Sequence, residues 1–296
     1  MNYFISCLLT KWECIFDKMI TPSLSNDMQV DLHTNLRRYM PAMFRLLMED
    51  GLSQDKWDNL NRKFVSTYQK RIALQTKSKK PLIVEANLYD LISSTFHNDK
   101  SALRFVGYID IIFKLLGNNL FPEEKLMVTE TLYNVLVSHD HQFRNYIGEL
   151  SVLNKAIEKR TYNLIGVERD SIAQGTTADF TLLNNQTGKT ELFEVVNIHL
   201  NNSQKIKGRL FRKIKEKTCK QANYTPFTLI PVLWAEWKIL KEVEQLYITG
   251  NGVEMEGVNE PFAFCAFSDE NNKPIYRFMP IKKLFPEGRI LVNWIS

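Results

Sequence analysis

A chain of 296 residues has room for about two domains of roughly 100–200 residues each, and a hydrophobic share of 44% is ample for a packed core. The formal net charge of +5 is mildly basic, which suits an anionic partner only where the cations cluster. The four cysteines, Cys7, Cys14, Cys219 and Cys265, show no CxxC and no metal-ligand spacing; this argues against a disulfide framework or a zinc finger and reads as reduced thiols in a cytoplasmic protein.

Phe4 to Leu9 imitates the apolar run of a signal sequence, yet no basic stretch precedes it, and Lys11, Glu13 and Asp17 interrupt it. No run elsewhere approaches the ~18 apolar residues of a membrane span, so the expectation is a soluble chain with no membrane partner. As far as His141 the periodicity is helical. Phe4, Leu8, Trp12 and Phe16 recur at the four-residue spacing of one helix face, as do Leu36, Met40, Met43, Leu46 and Leu47 farther on. Pro41 either begins a new helix or kinks a continuous one. Further helices are expected over 57–74, 86–96, 102–116 and 123–137, with Gly117-Asn118-Asn119 as a stop and Pro122 at a start. Residues 1–141 therefore read as an all-helical domain. The basic run Lys70, Arg71, Lys77, Lys79 and Lys80 is first a solvated surface and second a phosphate-contacting patch. His139-Asp140-His141 reads as a helix junction with Asp140 as N-cap in preference to a metal site.

A helix from Gln142 to about Arg160 has the apolar stripe Phe143, Tyr146, Ile147, Leu150, Leu153 and Ile157, with Glu149 on one shoulder and Glu158 on the other. A strand over Tyr162–Val167 follows, closed by Glu168-Arg169-Asp170; Glu168 and Asp170 could approach the site, but they read first as strand-end and turn residues. Next comes the stretch around which the chain is organised. Thr177 to Leu200 reads as a hairpin whose connector, Asn184 to Lys189, is polar and contains Gly188. Asp179 lies early in its first strand and Glu194 within its second. Alternation puts Leu192, Glu194, Val196 and Ile198 on one face, and Phe193, Val195, Asn197 and His199 on the other. An acid on an otherwise apolar face costs several kcal/mol unless it is paired, hydrogen-bonded or bound to a cation. Asp179, on the neighbouring strand, is placed to share a divalent metal with it.

An acid at the start of one strand, a second acid within the next, then a helix rich in Lys and Arg and a further apolar strand resembles the core of the PD-(D/E)XK nuclease superfamily, the restriction-endonuclease-like fold. The resemblance covers Tyr146 to Trp234. It matches Asp179 to the first acid, preceded by Ala178 where the motif name has Pro, and Glu194 to the second. The family's lysine position, two residues later, holds Val196. The resemblance implies Mg²⁺ or Mn²⁺ held by Asp179 and Glu194, with a glutamate of the preceding helix, Glu149 or alternatively Glu158, completing the site. It also allows the lysine to have moved to a neighbouring element, for which Lys213 and Lys217 are the candidates. Lys189 in the hairpin loop is less well placed, and His199 would need a bulge at Asn197 to reach the Glu194 face.

From Asn201 to Ala222 the apolar positions Ile206, Leu210, Phe211 and Ile214 step along one helix face. Lys205, Lys207, Arg209, Arg212, Lys213, Lys215, Lys217 and Lys220 surround them, opposed by Glu216. Such a surface packs on a sheet with one face and holds phosphates with the other. Phe227 to Trp234 reads as a buried strand, with Pro231 suggesting an edge or bend, and a right-handed crossover would set it parallel to the Glu194 strand. A helix over 237–247, a hairpin of 262–267 with 274–279, a helical turn at 281–285 and a last strand over 289–295 complete the expectation. Residues 142–296 are thus an α/β domain with a mixed central sheet, and the function expected is that of a metal-dependent nuclease acting on DNA. The alternatives are a catalytically inactive nuclease-like domain that binds nucleic acid or a protein, and an interaction protein whose acids are satisfied locally. A protein partner would dock through the helical domain.

Overall fold

The computed structural model describes residues 32–49, 100–138, 142–168, 171–173, 176–200, 227–235, 239–242, 262–268 and 274–284, with isolated positions at 55, 57–59, 62, 66, 73, 88, 91, 92, 212 and 237. Two compact units emerge: residues 1–117 with 128–147, and residues 118–127 with 148–296. The expected helix at 4–16, the basic run at 70–80, the His139-Asp140-His141 junction and the last strand at 289–295 lie outside the described residues.

In the first unit, α1 (Leu32–Tyr39) is followed at once by α2 (Pro41–Glu49), and α3 (Lys100–Asn119) runs almost entirely within the same unit. Pro41 opens α2 and does not kink a longer helix, because its fixed φ suits the first helical position and its missing N–H would have lacked a partner there anyway. The orphan N–H groups that follow are taken by a side chain distant in sequence. Asp110 of α3 accepts from Ala42 N–H at 3.0 Å and from Met43 N–H at 3.0 Å. Leu36, Met40, Met43, Leu47, Phe105, Ile109, Phe113 and Leu116 are fully buried. Gly117 does not stop α3, which continues to Asn119. A Cβ at Gly117 would meet Leu46 Cδ2 at 3.0 Å, so the glycine serves close helix packing, and its effect on helix propensity is secondary.

Helices α4 (Pro122–Val137) and α5 (Gln142–Ile157) are each divided between the two units. The second unit is built on a mixed six-stranded sheet of β1 (Tyr162–Val167), β4 (Phe180–Asn184), β5 (Thr190–His199), β6 (Thr228–Trp234), β7 (Phe262–Ser268) and β8 (Pro274–Pro280), in the order β1-β4-β5-β6-β7-β8. A small ribbon of β2 (Ser171–Ala173) and β3 (Thr176–Thr177) stands apart. β1, β4 and β5 are antiparallel neighbours, β6 runs parallel to both β5 and β7, and β8 returns antiparallel. The α/β character expected of the C-terminal half is therefore present. β6 is apolar along its length because strands inside a sheet bury both faces.

Pro231 lies in a central strand and not at an edge of the sheet. It pairs with Val196 of β5, and among the described residues β7 pairs with β6 from Val232 onward. α5 ends at Ile157, short of the expected Arg160. The chain turns through Arg160 at φ 55, with its N–H on the Ile157 carbonyl at 2.9 Å and its guanidinium 4.0 Å over the Phe121 ring. Asn185, at the tip of the β4–β5 hairpin, donates its amide to the Arg160 carbonyl at 2.8 Å, which ties the hairpin to the turn. Cys265 of β7 is fully buried, and that burial pushes its thiol up to about 12. Among the described residues no helix is long and apolar enough to cross a membrane.

Candidate metal and catalytic site

Phe180 pairs with Phe193 across β4 and β5; Asp179 directly precedes the first of these residues and Glu194 directly follows the second. Asp179 is half-buried in a bend immediately before β4, one residue earlier than a place within the strand. Its Oδ2 accepts the Val195 N–H at 2.6 Å. Its own carbonyl accepts the Glu168 N–H at 3.1 Å. The carboxylate is thus fixed in orientation by the backbone of the strand that carries Glu194.

Glu194 is only 5% exposed. On its face of the sheet Leu192, Val196, Ile198, Leu229 and Leu233 belong to one apolar cluster. The position that would bear the family's lysine is part of that cluster, with Val196 4% exposed, so a branched apolar side chain packs where an ammonium would stand. Ala178, the residue before Asp179, is fully buried in the same cluster.

The register of β5 on β6 is unbroken from Phe193 to His199. No bulge occurs at Asn197, and His199 stays on the face opposite Glu194. That opposite face has its own construction. Asn197 Oδ1 accepts the Trp234 indole N–H at 2.9 Å, and His199, Trp234 and Phe264 stack in a row with ring centroids 5.7 and 4.3 Å apart. A Cβ on Gly148 of α5 would overlap Asn197 Oδ1, so α5 approaches the sheet on this side.

The alternation of β5 therefore sets the helix of Glu149 against the face that Glu194 does not share. Glu149 is half-buried there. Glu158, the alternative, is exposed and pairs with Lys155 at 3.0 Å. Neither helix acid is brought beside Glu194 by these contacts. Lys189 is exposed at the hairpin tip, five residues along β5 from Glu194, or about 16 Å. Arg212 is helical and exposed. Lys205, Lys207, Arg209, Lys213, Lys215, Lys217 and Lys220 lie outside the described residues.

Glu168, read in the sequence first as a strand-end residue, is joined to Asp179 through the backbone. It ends β1 in the left-handed region at φ 47, a conformation that L side chains adopt rarely, and its amide is the one bound to Asp179. The cue in the sequence is faint: an acid placed where the strand preceding the hairpin stops. Glu191, the remaining acid of β5, is held structurally by Tyr162 O–H at 3.0 Å and Asn184 amide N–H at 2.9 Å.

Two carboxylates from adjacent strands supply hard oxygen donors of the kind that Mg²⁺ or Mn²⁺ takes, and Mg²⁺ is commonly held by one or two carboxylates plus water and substrate phosphate. One Asp179 oxygen is committed to Val195 N–H. Among the described residues no group of three or more His, Cys, Asp or Glu side chains is arranged to hold an ion. The donor set that fits is the pair. Comparison with protein-family models, with curated proteins and with solved structures finds no match to this chain.

Proposed function

We propose that the chain is a metal-dependent nuclease of the PD-(D/E)XK type acting on DNA. The observation that carries this reading is Glu194, a carboxylate buried within an apolar sheet face, next to Val195, whose N–H the Asp179 carboxylate accepts. Buried ionisable groups occur at functional sites more often than elsewhere. The arrangement of elements supports the reading as well: the two acids lie on an antiparallel hairpin, and the next sheet strand runs parallel to its second arm.

In this proposal Asp179, oriented by Val195 N–H, and Glu194, wedged between Leu192 and Val196, bind Mg²⁺ or Mn²⁺. The bound ion supplies an activated water and offsets charge on the scissile phosphate. Lys213 and Lys217 stand in for the family's lysine. Lys205, Lys207, Arg209, Arg212, Lys215 and Lys220 hold the DNA backbone, a contact that carries no sequence information.

One observation favours a second reading, a catalytically inactive nuclease-like domain that binds nucleic acid. Val196 is buried in the apolar cluster, so the lysine site is filled by packing. The experiment compares cleavage of supercoiled plasmid, single-stranded DNA and RNA by the wild type and by Glu194→Gln, prepared identically, with Mg²⁺ or Mn²⁺. Glutamine keeps the volume and removes the charge. Cutting by the wild type that falls at least about a hundredfold in the variant is the expected result. If neither protein cuts and both retain DNA in a salt-sensitive way, the second reading replaces the first; if neither cuts nor binds, both are wrong.

A further inference from the structure

Trp57 is 3% exposed, and a buried indole N–H needs an acceptor. Its Nε1 donates to the Met48 sulfur at 3.3 Å. A thioether is a weak acceptor, so the indole is held by a bond that chemistry at the sulfur can remove. The same ring anchors both preceding helices. It stacks on Phe44 of α2 with centroids 6.0 Å apart, and it meets His33 of α1 edge to face at 5.4 Å. His33 and Phe44 also meet edge to face, at 4.9 Å. Whatever shifts the indole therefore acts on the joint between α1 and α2.

Met48 stands in the last turn of α2 and is 39% exposed, whereas Met40 and Met43 are 0% exposed. A dissolved oxidant reaches the first and is kept from the other two. Hydrogen peroxide oxidises a thioether by oxygen transfer. A sulfur lone pair attacks one peroxide oxygen, the S–O bond forms as the O–O bond breaks, and the departing hydroxide takes up the proton and leaves as water. The sulfur loses two electrons and the peroxide gains them. Of the two lone pairs on the Met48 sulfur, the indole N–H takes one, so the oxygen is delivered to the other and points away from the ring. A sulfoxide sulfur is electron-poor and no longer accepts the indole proton.

We propose that Met48 is a peroxide-modification site whose conversion to the sulfoxide releases the Trp57 indole and loosens the joint between α1 and α2. The change is reversible, because methionine sulfoxide reductases return the thioether, one class of enzyme for each sulfoxide epimer. Delivery to a single lone pair makes a single epimer at Met48, so one class of reductase reverses it. The orphaned N–H remains buried at a cost, and that cost emerges as easier local opening around Trp57.

The test treats the full chain with hydrogen peroxide, maps sulfoxides by peptide mass spectrometry and follows the Trp57 indole N–H by NMR, with Trp57→Phe assigning the signal. Met48 should oxidise while Met40 and Met43 stay thioethers. Exchange of the indole N–H with water should then rise by at least about fivefold, with the amides of α1 and α2 following. One class of reductase with dithiothreitol should restore the slow rate. Met48→Leu, which cannot take up oxygen, should exchange fast from the start and ignore peroxide. Met127→Leu, a change at another methionine that is 36% exposed, should respond as the wild type does. The proposal is overturned if Met48 stays reduced while Met127 oxidises, if Met48 oxidises and indole exchange is unchanged, or if repair requires both classes of reductase. Oxidation of Met40 and Met43 in step with Met48 also overturns it, because global unfolding would then be the route.

Discussion

Glu124 is 3% exposed, and its two oxygens each hold a backbone donor. Oε2 accepts Phe121 N–H at 2.7 Å, and Oε1 accepts Leu164 N–H at 2.8 Å. The first bond is half of a capping box, with an acid at the third position of α4 reaching back to the residue before the helix. The second reaches β1, an edge strand of the sheet, and closes a donor that an edge leaves open. Glu124→Ala strands both N–H groups and should cost about 1–3 kcal/mol, with Glu124→Gln intermediate; urea unfolding checks this, and equal stability of the three proteins would refute the assigned role. Asp110 is a different case. Burial raises its pKa above 3.8, and the Met43 and Ala42 amides, Arg45 and Lys114 oppose that shift without cancelling it. The folded state therefore binds more protons than the unfolded chain just above that value, so this group's contribution falls as pH rises through the folded pKa. The stability of the wild type relative to Asp110→Asn should decline as pH rises above 3.8 and through the raised pKa of the folded state, and a difference that instead grew with pH would contradict the stated balance.

At the level of elements, α5 and β5 are fitted to each other at one point. Gly148 admits the Asn197 amide, and Asn197 in turn holds the Trp234 indole, linking α5, β5 and β6. Gly148→Ala improves helix propensity by about 1 kcal/mol but drives a methyl group into Asn197 Oδ1. Overpacking costs about 1–3 kcal/mol, so the net effect should be destabilising. Gly148→Ala, Asn197→Ala should lose less stability than the sum of the single losses, because the shorter side chain removes the clash, while the orphaned indole N–H keeps the double variant below the wild type. Thermal denaturation of the four proteins tests the coupling; purely additive effects would mean that the two positions act independently. The helix spans were legible because Leu36, Met40 and Met43, or Phe143, Ile147 and Leu150, keep helical spacing with few interruptions. Helix ends were less so: Gly117 looked like a stop because a sequence does not reveal that Leu46 packs against it.

For the molecule as a whole, the proposed site makes a claim about ligand linkage. If Asp179 and Glu194 bind a divalent cation only in the folded state, Mg²⁺ or Mn²⁺ should stabilise the protein by about 2.7 kcal/mol at a hundred times the dissociation constant. Asp179→Asn with Glu194→Gln should abolish that gain. Differential scanning calorimetry with and without the cation decides; a Tm that ignores the metal in the wild type would refute metal binding at this pair.

The sequence by itself determined the local periods: which stretches wind, which extend, and where Asn184 to Lys189 must turn. Alternation alone assigned Glu194 and His199 to opposite faces of β5, and the unbroken register kept them there. Only the tertiary structure decided which element covers each face. It set α5 against Asn197, on the side away from Glu194, and it placed Pro231 inside the sheet. It also gave Asp110 and Glu124 to backbone donors 67 or 68 and 40 residues away. The reason is physical. Periodicity and turn chemistry act over a few neighbouring residues and are written in their order, whereas the choice of face, partner strand and buried donor is made by packing between segments whose separation along the chain leaves no local mark.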